Sequence, residues 1–331
     1  MRLLQFTDGA RARVGRVEVD GAVSPLSRFD STYQLARKAI AERKSLEQIV
    51  SGEAFDAPIA YAELLSSKRL LPPLMHPDPA HCLVAGTGLT HLGSAAARDS
   101  MHQKIGKQDA ELTDSMKMFK WGVEGGRPAG STPGMQPEWF YKGSGLNVVA
   151  CGHAFASPDF AEDHGEEPEL VGCYVIDDDG KPHRLGFAIG NEFSDHVTER
   201  RNYLLLAHSK LRQCGVGPML NIGAVPSHLE GTSRIRRGGQ MLWQKPFLTG
   251  EGNMSHSFAN LEYHHFKYKQ HRVPGDVHLH FFGTATLSFV DDVKVKAGDE
   301  FEIDLPALGA PLTNMLTIES GGLALNEVAA L

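Results

Sequence analysis

The sequence predicts a β-rich α+β fold, and three observations carry that expectation. Thirty-five glycines in 331 residues suit a chain of many turns. Short apolar or alternating runs recur, among them Leu3–Phe6, Arg13–Val19, Val277–Phe282 and Phe301–Leu305, each bounded by Gly, Asp or Pro. The run Leu170–Ile176 is apolar on both faces, the mark of a strand covered on both sides.

Residues 1–75 read as a small N-terminal module. Two strands come first, with turn signals at Gly9 and Asp20-Gly21; a helix follows, capped by Ser31 or Thr32, with Leu35, Ala36 and Ile40 on one face. A proline-rich linker, Leu70 to His81, then leads into residues 76–331, expected to form a larger domain. Its first strand, Cys82 to Ala85, enters Gly86-Thr87-Gly88-Leu89-Thr90-His91. That turn lacks the third glycine and the later acidic residue of a dinucleotide site. His91 alone reads as a hydrogen-bonded structural histidine. Residues 93–121 suit a helix, and 122–137 hold five glycines and three prolines. A lid over about 93–136 is expected, because few apolar contacts would hold such a segment down.

Pro137-Glu138-Trp139-Phe140-Tyr141-Lys142 puts one carboxylate beside three aromatics. An apolar wall disfavours the charged form of a carboxylate, which makes Glu138 a candidate acid or base. Glu167 and Glu169 open the strand that continues through Ile176, and residues i and i+2 of a strand share a face. A charge at the lip of a buried sheet needs a cation or a proton. The next apolar run ends at Asn191-Glu192, supplying a third carboxylate from a neighbouring strand. Three carboxylates without histidine describe a hard, oxygen-ligated metal: Mg2+, with Mn2+ or Ca2+ as substitutes. Beyond them, Ser194 is expected to cap a helix carrying Val197 to Leu206, closed by His208-Ser209-Lys210. The histidines at 264, 265, 271, 278 and 280 read as structural or surface residues, since only the last pair has strand spacing.

Net charge and composition exclude other classes. A formal charge of −7 with no long basic block argues against nucleic acid; the three arginines in Arg234–Arg237 read as solvated surface. The N-terminus lacks the apolar core of a signal peptide, and no apolar run approaches membrane-spanning length. Cys82, Cys151, Cys173 and Cys214 form no C-x-x-C pair, as expected of reduced thiols in a cytoplasmic protein.

The ordered set Glu-x-Glu, Gly-Asn-Glu-x-Ser, Ser-Lys, Pro-Gly-Asp-Val, Gly-Thr, Ala-Gly-Asp-Glu and Leu-Gly, spread over roughly residues 80–315, resembles the fumarylacetoacetate hydrolase superfamily. The resemblance implies a mixed β roll, with the N-terminal module matching residues 1–75. It assigns metal binding to Glu167, Glu169 and Glu192, an active-site role to Lys210 and the substrate carboxylate to Thr284. Gly88, Leu89 and Ser194 complete the expected substrate-binding set. Glu192 departs from the family's usual aspartate by a longer arm. Ser94 or a neighbour falls where the hydrolases carry a water-activating histidine. The Pro-Glu-Trp-Phe segment is similar instead to the branch that dehydrates 2-keto-3-deoxypentonates, which pairs Glu138 with Lys210 for acid/base work. The expectation is therefore a Mg2+-dependent dehydratase of a 2-keto-3-deoxy sugar acid, acting as a homodimer or homotetramer. A hydrolase of a 2,4-diketo acid or acylpyruvate and a non-catalytic keto-acid binding protein are the alternatives.

Overall fold

The computed structural model describes residues 1–92, 112–325 and 327–331. Residues 93–111, which hold Ser94 and the first part of the expected lid, lie outside the described residues. Among the regular elements of the described residues strands predominate, in two mixed sheets. The expected β-rich α+β class is what the structure shows.

The N-terminal strands are β1 (Arg2–Asp8), β2 (Arg11–Val17), β3 (Ala22–Pro25), β4 (Ile59–Ala60) and β5 (Leu70–Leu71). Helix α1 (Thr32–Glu42) starts as its sequence predicts: the Ser31 side chain accepts from the Gln34 amide, and Leu35 and Ala36 are buried. Two short helices follow, α2 (Leu46–Ser51) and α3 (Tyr61–Ser66). These N-terminal strands are continuous with the large sheet, because β1 pairs antiparallel with β12 (Cys214–Ile222), Leu3 lying opposite Leu220; the two-residue β8 (Val148–Val149) pairs parallel with β12.

The centre of that sheet runs β12, β11 (Pro182–Asn191), β10 (Pro168–Ile176), β15 (Val277–Phe281), β6 (Cys82–Gly86) and β7 (Phe140–Ser144). All nine residues of β10 are buried. Val171, Cys173 and Val175 pack with Leu35 and Ala36 of α1, while Tyr174 and Ile176 pack with Phe266 on the other side. Both faces are thus covered, as the double-sided apolar pattern requires. The second sheet has the order β14 (Gln240–Thr249), β13 (Leu229–Arg237), β16 (Asp299–Asp304), β17 (Leu312–Glu319) and β9 (Phe155–Pro158). Arg234 and Arg237 lie on β13 and are only partly exposed: Arg234 pairs with Glu302 and Asp304, and Arg237 with Asp299.

Helix α4 (Asp114–Gly125) begins at Thr113, whose side chain accepts from Met116. Its Gly122 lies so close to His256 that a Cβ there would meet the imidazole at 2.6 Å. Among the described residues no helix is long and apolar enough to cross a membrane.

Register explains why one end of the large sheet gathers the candidate residues. β10 and β11 are antiparallel with Pro168 opposite Asn191, so the start of one meets the end of the other. β15 runs antiparallel to β10 and parallel to β6, while β6 is antiparallel to β7. The beginnings of β10 and β7 and the ends of β11, β15 and β6 therefore share one edge.

A candidate metal centre

Glu167, Glu169 and Glu192 converge. Each offers a carboxylate oxygen, these oxygens lie within 4.8 Å of one another, and all three residues are buried. The hairpin register places them: the Glu192 amide donates to the Glu167 carbonyl at 3.0 Å, continuing the β10–β11 ladder by one residue. Glu169 meets the turn after β15, where the Gly283 amide donates to its Oε2 at 2.6 Å.

Three basic side chains hold these carboxylates, and a fourth buried acid braces the loop beside them. Lys210 donates from Nζ to Glu167 Oε1, to Glu192 Oε2 at 2.5 Å and to Ser194 Oγ at 3.1 Å. The Lys142 ammonium, fully buried, lies 2.5 Å from Glu192 Oε1. His196 bridges Glu167 Oε1 at 2.9 Å and Asp163 Oδ2 at 3.1 Å. Glu166, buried one residue before Glu167, accepts from the Ser288 amide at 2.9 Å and its hydroxyl at 2.5 Å. It fastens the segment after Thr284 to the start of β10.

The electrostatics follow from this packing. Burial, then the neighbouring Glu192 and Glu167, push the Glu169 carboxyl well above the usual range. Burial pushes Glu167 the same way, but Lys210 and His196 outweigh it and hold its carboxyl well below that range. Burial raises Glu192, with Lys142 and Lys210 opposing. Burial works against a charge on His196, yet its bonds to Asp163 and Glu167 raise it to about 10. Counting Asp163, four carboxylates meet three basic side chains, Lys142, His196 and Lys210. Three buried carboxylates with no histidine among them suit a hard divalent ion, and each of Glu167 and Glu169 has only one oxygen engaged by the protein bonds named above. The donor set fits Mg2+.

The other expected residues take these places. Glu138, 5% exposed, accepts at Oε2 from the hydroxyl of Tyr203, which opens a short 3-10 turn, Tyr203–Leu205. Two residues on, the Phe140 ring lies 5.0 Å from Lys210 Nζ. Gly88 and Leu89 follow β6 beside the turn after β15: Thr87 donates its amide to the Phe281 carbonyl, and Leu89 is left-handed at φ +56°. Thr284 lies next to Gly283, with Oγ1 accepting from the Thr286 amide. Ser194 is turned inward to Glu192 and Lys210. It does not cap the helix, because the Asp195 carboxylate takes that position, accepting from the Thr198 amide at 2.9 Å. The expected single helix is also interrupted: α5 (His196–Arg201) ends at Asn202, which is extended, and α6 (Leu206–Lys210) is separate.

Lys142, His196, Asp163 and Tyr203 have site roles that the sequence analysis did not assign. A signal existed for one of them: Glu138, Phe140 and Lys142 are spaced i, i+2, i+4, which on a strand is one face.

His91 is buried and neutral, lowered to about 4 by burial, with Nε2 3.0 Å from Thr249 Oγ1. The later histidines correct the surface reading. His265, His271, His278 and His280 form one buried cluster, with His265 ring centroids 4.7, 5.0 and 4.6 Å from the other three. They come from helix α7 (Phe258–Phe266), the turn after it and β15, so no sequence spacing could reveal the group.

Gly283 is the tightest point of the seat. Its φ is +90°, and an added Cβ would meet Thr90 Oγ1 and lie 2.8 Å from the Thr87 carbonyl. Gly283→Ala is expected to destabilise the protein by about 1–3 kcal/mol and to weaken metal binding, since the shifted amide leaves Glu169. Thermal melts and a Mn2+ titration read the two effects; wild-type affinity in the variant removes the amide from metal binding.

No family model matches this sequence, and no curated protein matches it. Solved structures do. The chain has the fumarylacetoacetate hydrolase fold. A 2-keto-3-deoxy-D-arabinonate dehydratase in its apo form is 20% identical with a TM-score of 0.71, covering 97% of this chain and 100% of its own. The same enzyme complexed with magnesium and 2,5-dioxopentanoate is 19% identical, with the same TM-score and coverage. Fumarylacetoacetate hydrolase from Exiguobacterium antarcticum matches at 15% identity and a TM-score of 0.58, covering 96% of this chain and 100% of its own. Isomerases share the fold too, including 5-carboxymethyl-2-hydroxymuconate delta-isomerase from Mycobacterium smegmatis, at 16% identity, a TM-score of 0.57 and the same coverage.

Proposed function

We propose that this chain is a Mg2+-dependent hydro-lyase that converts a 2-keto-3-deoxypentonate into 2-oxoglutarate semialdehyde. The reading is carried by one observation: three buried carboxylates converge, and Lys210 is bonded to two of them. The greater likeness in fold to a dehydratase than to the hydrolase above supports it.

When bound, Mg2+ supplies a Lewis acid that favours loss of the C3 proton of a 2-keto acid. This chain's residues do the rest. The Gly283 amide, His196 and Lys142 fix the carboxylates. The turns carrying Gly88, Leu89 and Thr284 receive the substrate carboxylate. Lys210 and Glu138 divide the two proton transfers, one taking the proton from C3, the other delivering one to the departing C4 hydroxyl. Water leaves and a C3–C4 double bond forms. A proton shift moves the unsaturation to C4–C5, and the resulting C5 enol becomes the aldehyde.

Glu138→Gln tests the assignment. It should lower turnover by about 100- to 10,000-fold, the usual contribution of a general acid or base, and leave Mg2+ affinity unchanged. An unaffected rate removes Glu138 from the reaction. Aldehyde formed from a 2-keto-3-deoxypentonate with Mg2+ supports the reading; pyruvate released from an acylpyruvate, without aldehyde, replaces it by hydrolysis.

A further inference from the structure

We infer that Lys142 is a positioning residue that ties the metal seat to the acid/base lysine. This rests on the metal reading above. A lysine ammonium has three hydrogens, and Lys142 has three acceptors: Glu192 Oε1 at 2.5 Å, the Phe193 carbonyl at 2.5 Å and the Lys210 carbonyl at 3.0 Å. Both Lys142 and Glu192 are 0% exposed, so neither can turn to water instead. One point on β7 thus holds a carboxylate of the metal group, the chain just after it and the backbone of Lys210. Lys210 in turn bonds the other oxygen of Glu192 through its side chain. Glu192 and Lys210 cannot move independently while that ammonium is in place. The arrangement also gives the long arm of Glu192 a fixed direction, because each of its oxygens is engaged from a different side. A lysine serving stability alone would need any three acceptors; these three belong to the two groups whose relative placement the site depends on.

Lys142→Met keeps the length of the side chain and removes its donors. Lys142→Arg keeps the charge but cannot direct three donors from one atom. In both variants Mn2+ affinity, read by electron paramagnetic resonance, should fall by about 10- to 100-fold, the usual effect of losing an outer partner of a metal ligand. Turnover should fall further than KM rises. Folded variants with wild-type Mn2+ affinity overturn the inference. A measurement on the unaltered protein covers failure of both variants to fold. With 15N-labelled lysine, the buried ammonium resonance of Lys142, assigned by side-chain correlation, should shift as Mg2+ is added and saturate with the metal. A resonance unmoved at saturating Mg2+ overturns the inference as well. Failure of the wild-type protein to bind Mn2+ or Mg2+ at all is a separate outcome, which removes the metal reading and this inference with it.

Discussion

Glu169→Gln is expected to abolish useful Mg2+ binding while leaving the fold at least as stable as wild type in metal-free buffer. Burial and two neighbouring carboxylates push this carboxyl well up, so without metal the fold favours its neutral form. Glutamine is close to that neutral form in shape, and its side-chain oxygen can still accept from the Gly283 amide. What the variant loses is the ability to become an anionic ligand. Affinity should drop by more than about 100-fold, beyond the 10- to 100-fold typical of changes one layer further out. A Lewis acid contributes several kcal/mol to such chemistry, so turnover should fall by roughly 1000-fold or more. Melting temperature provides the check. Saturating Mg2+ should raise it in the wild type through mass action and leave the variant unmoved. A variant that Mg2+ stabilises as it does the wild type takes Glu169 out of the metal group.

The second large effect comes from the histidine cluster, which contains no carboxylate. Burial pushes His278 and His280 down to about 3 and His265 well below the usual imidazole range. The unfolded chain titrates these rings near 6.5. Below that pH it takes up protons that the fold refuses, so stability from each ring is present above about 6.5 and declines as pH falls towards 3. By pH 5 the loss is about 2 kcal/mol per ring, at 1.36 kcal/mol per unit. Glu166 acts in the opposite sense: burial raises it to about 7, and its contribution grows as it takes a proton. Whole-protein acid melts therefore mix the two. His280→Leu separates them, because neither ring nitrogen of His280 has a hydrogen-bond partner among the described residues. The variant should gain about 2 kcal/mol on the wild type between pH 7.5 and 5, read by urea unfolding at each pH. A difference that stays constant across that range refutes the assignment.

The convergence of Glu167, Glu169 and Glu192 was legible because their placement is local. Two sit at strand spacing, and the third lies one residue past a hairpin partner, so period and pairing suffice to bring them together. Glu138 stood out by its three aromatic neighbours, whereas the expectation for Lys210 needed the resemblance, since nothing near it in sequence marks it. Lys142 and His196 were passed over for a different reason. Their partners are 29 to 68 residues away, and a lysine or histidine acquires meaning only from the charge it meets. The Ser194 cap failed on a competition between neighbours: the Asp195 carboxylate is the stronger acceptor for the helix amides, and Ser194 was needed inside. The cluster of imidazoles drew on a helix, a turn and a strand, whose approach no periodicity encodes.

The parallel pairing of β6 with β15 sets Val277 opposite Cys82, 195 positions away in sequence. Closing so large a loop is slow compared with forming the β10–β11 hairpin. In refolding, Glu167 and Glu192 should therefore come together early, and the Gly283 amide should reach Glu169 late. Metal-responsive fluorescence should lag behind the recovery of strand signal, and competence for ligand should be among the last properties the chain regains.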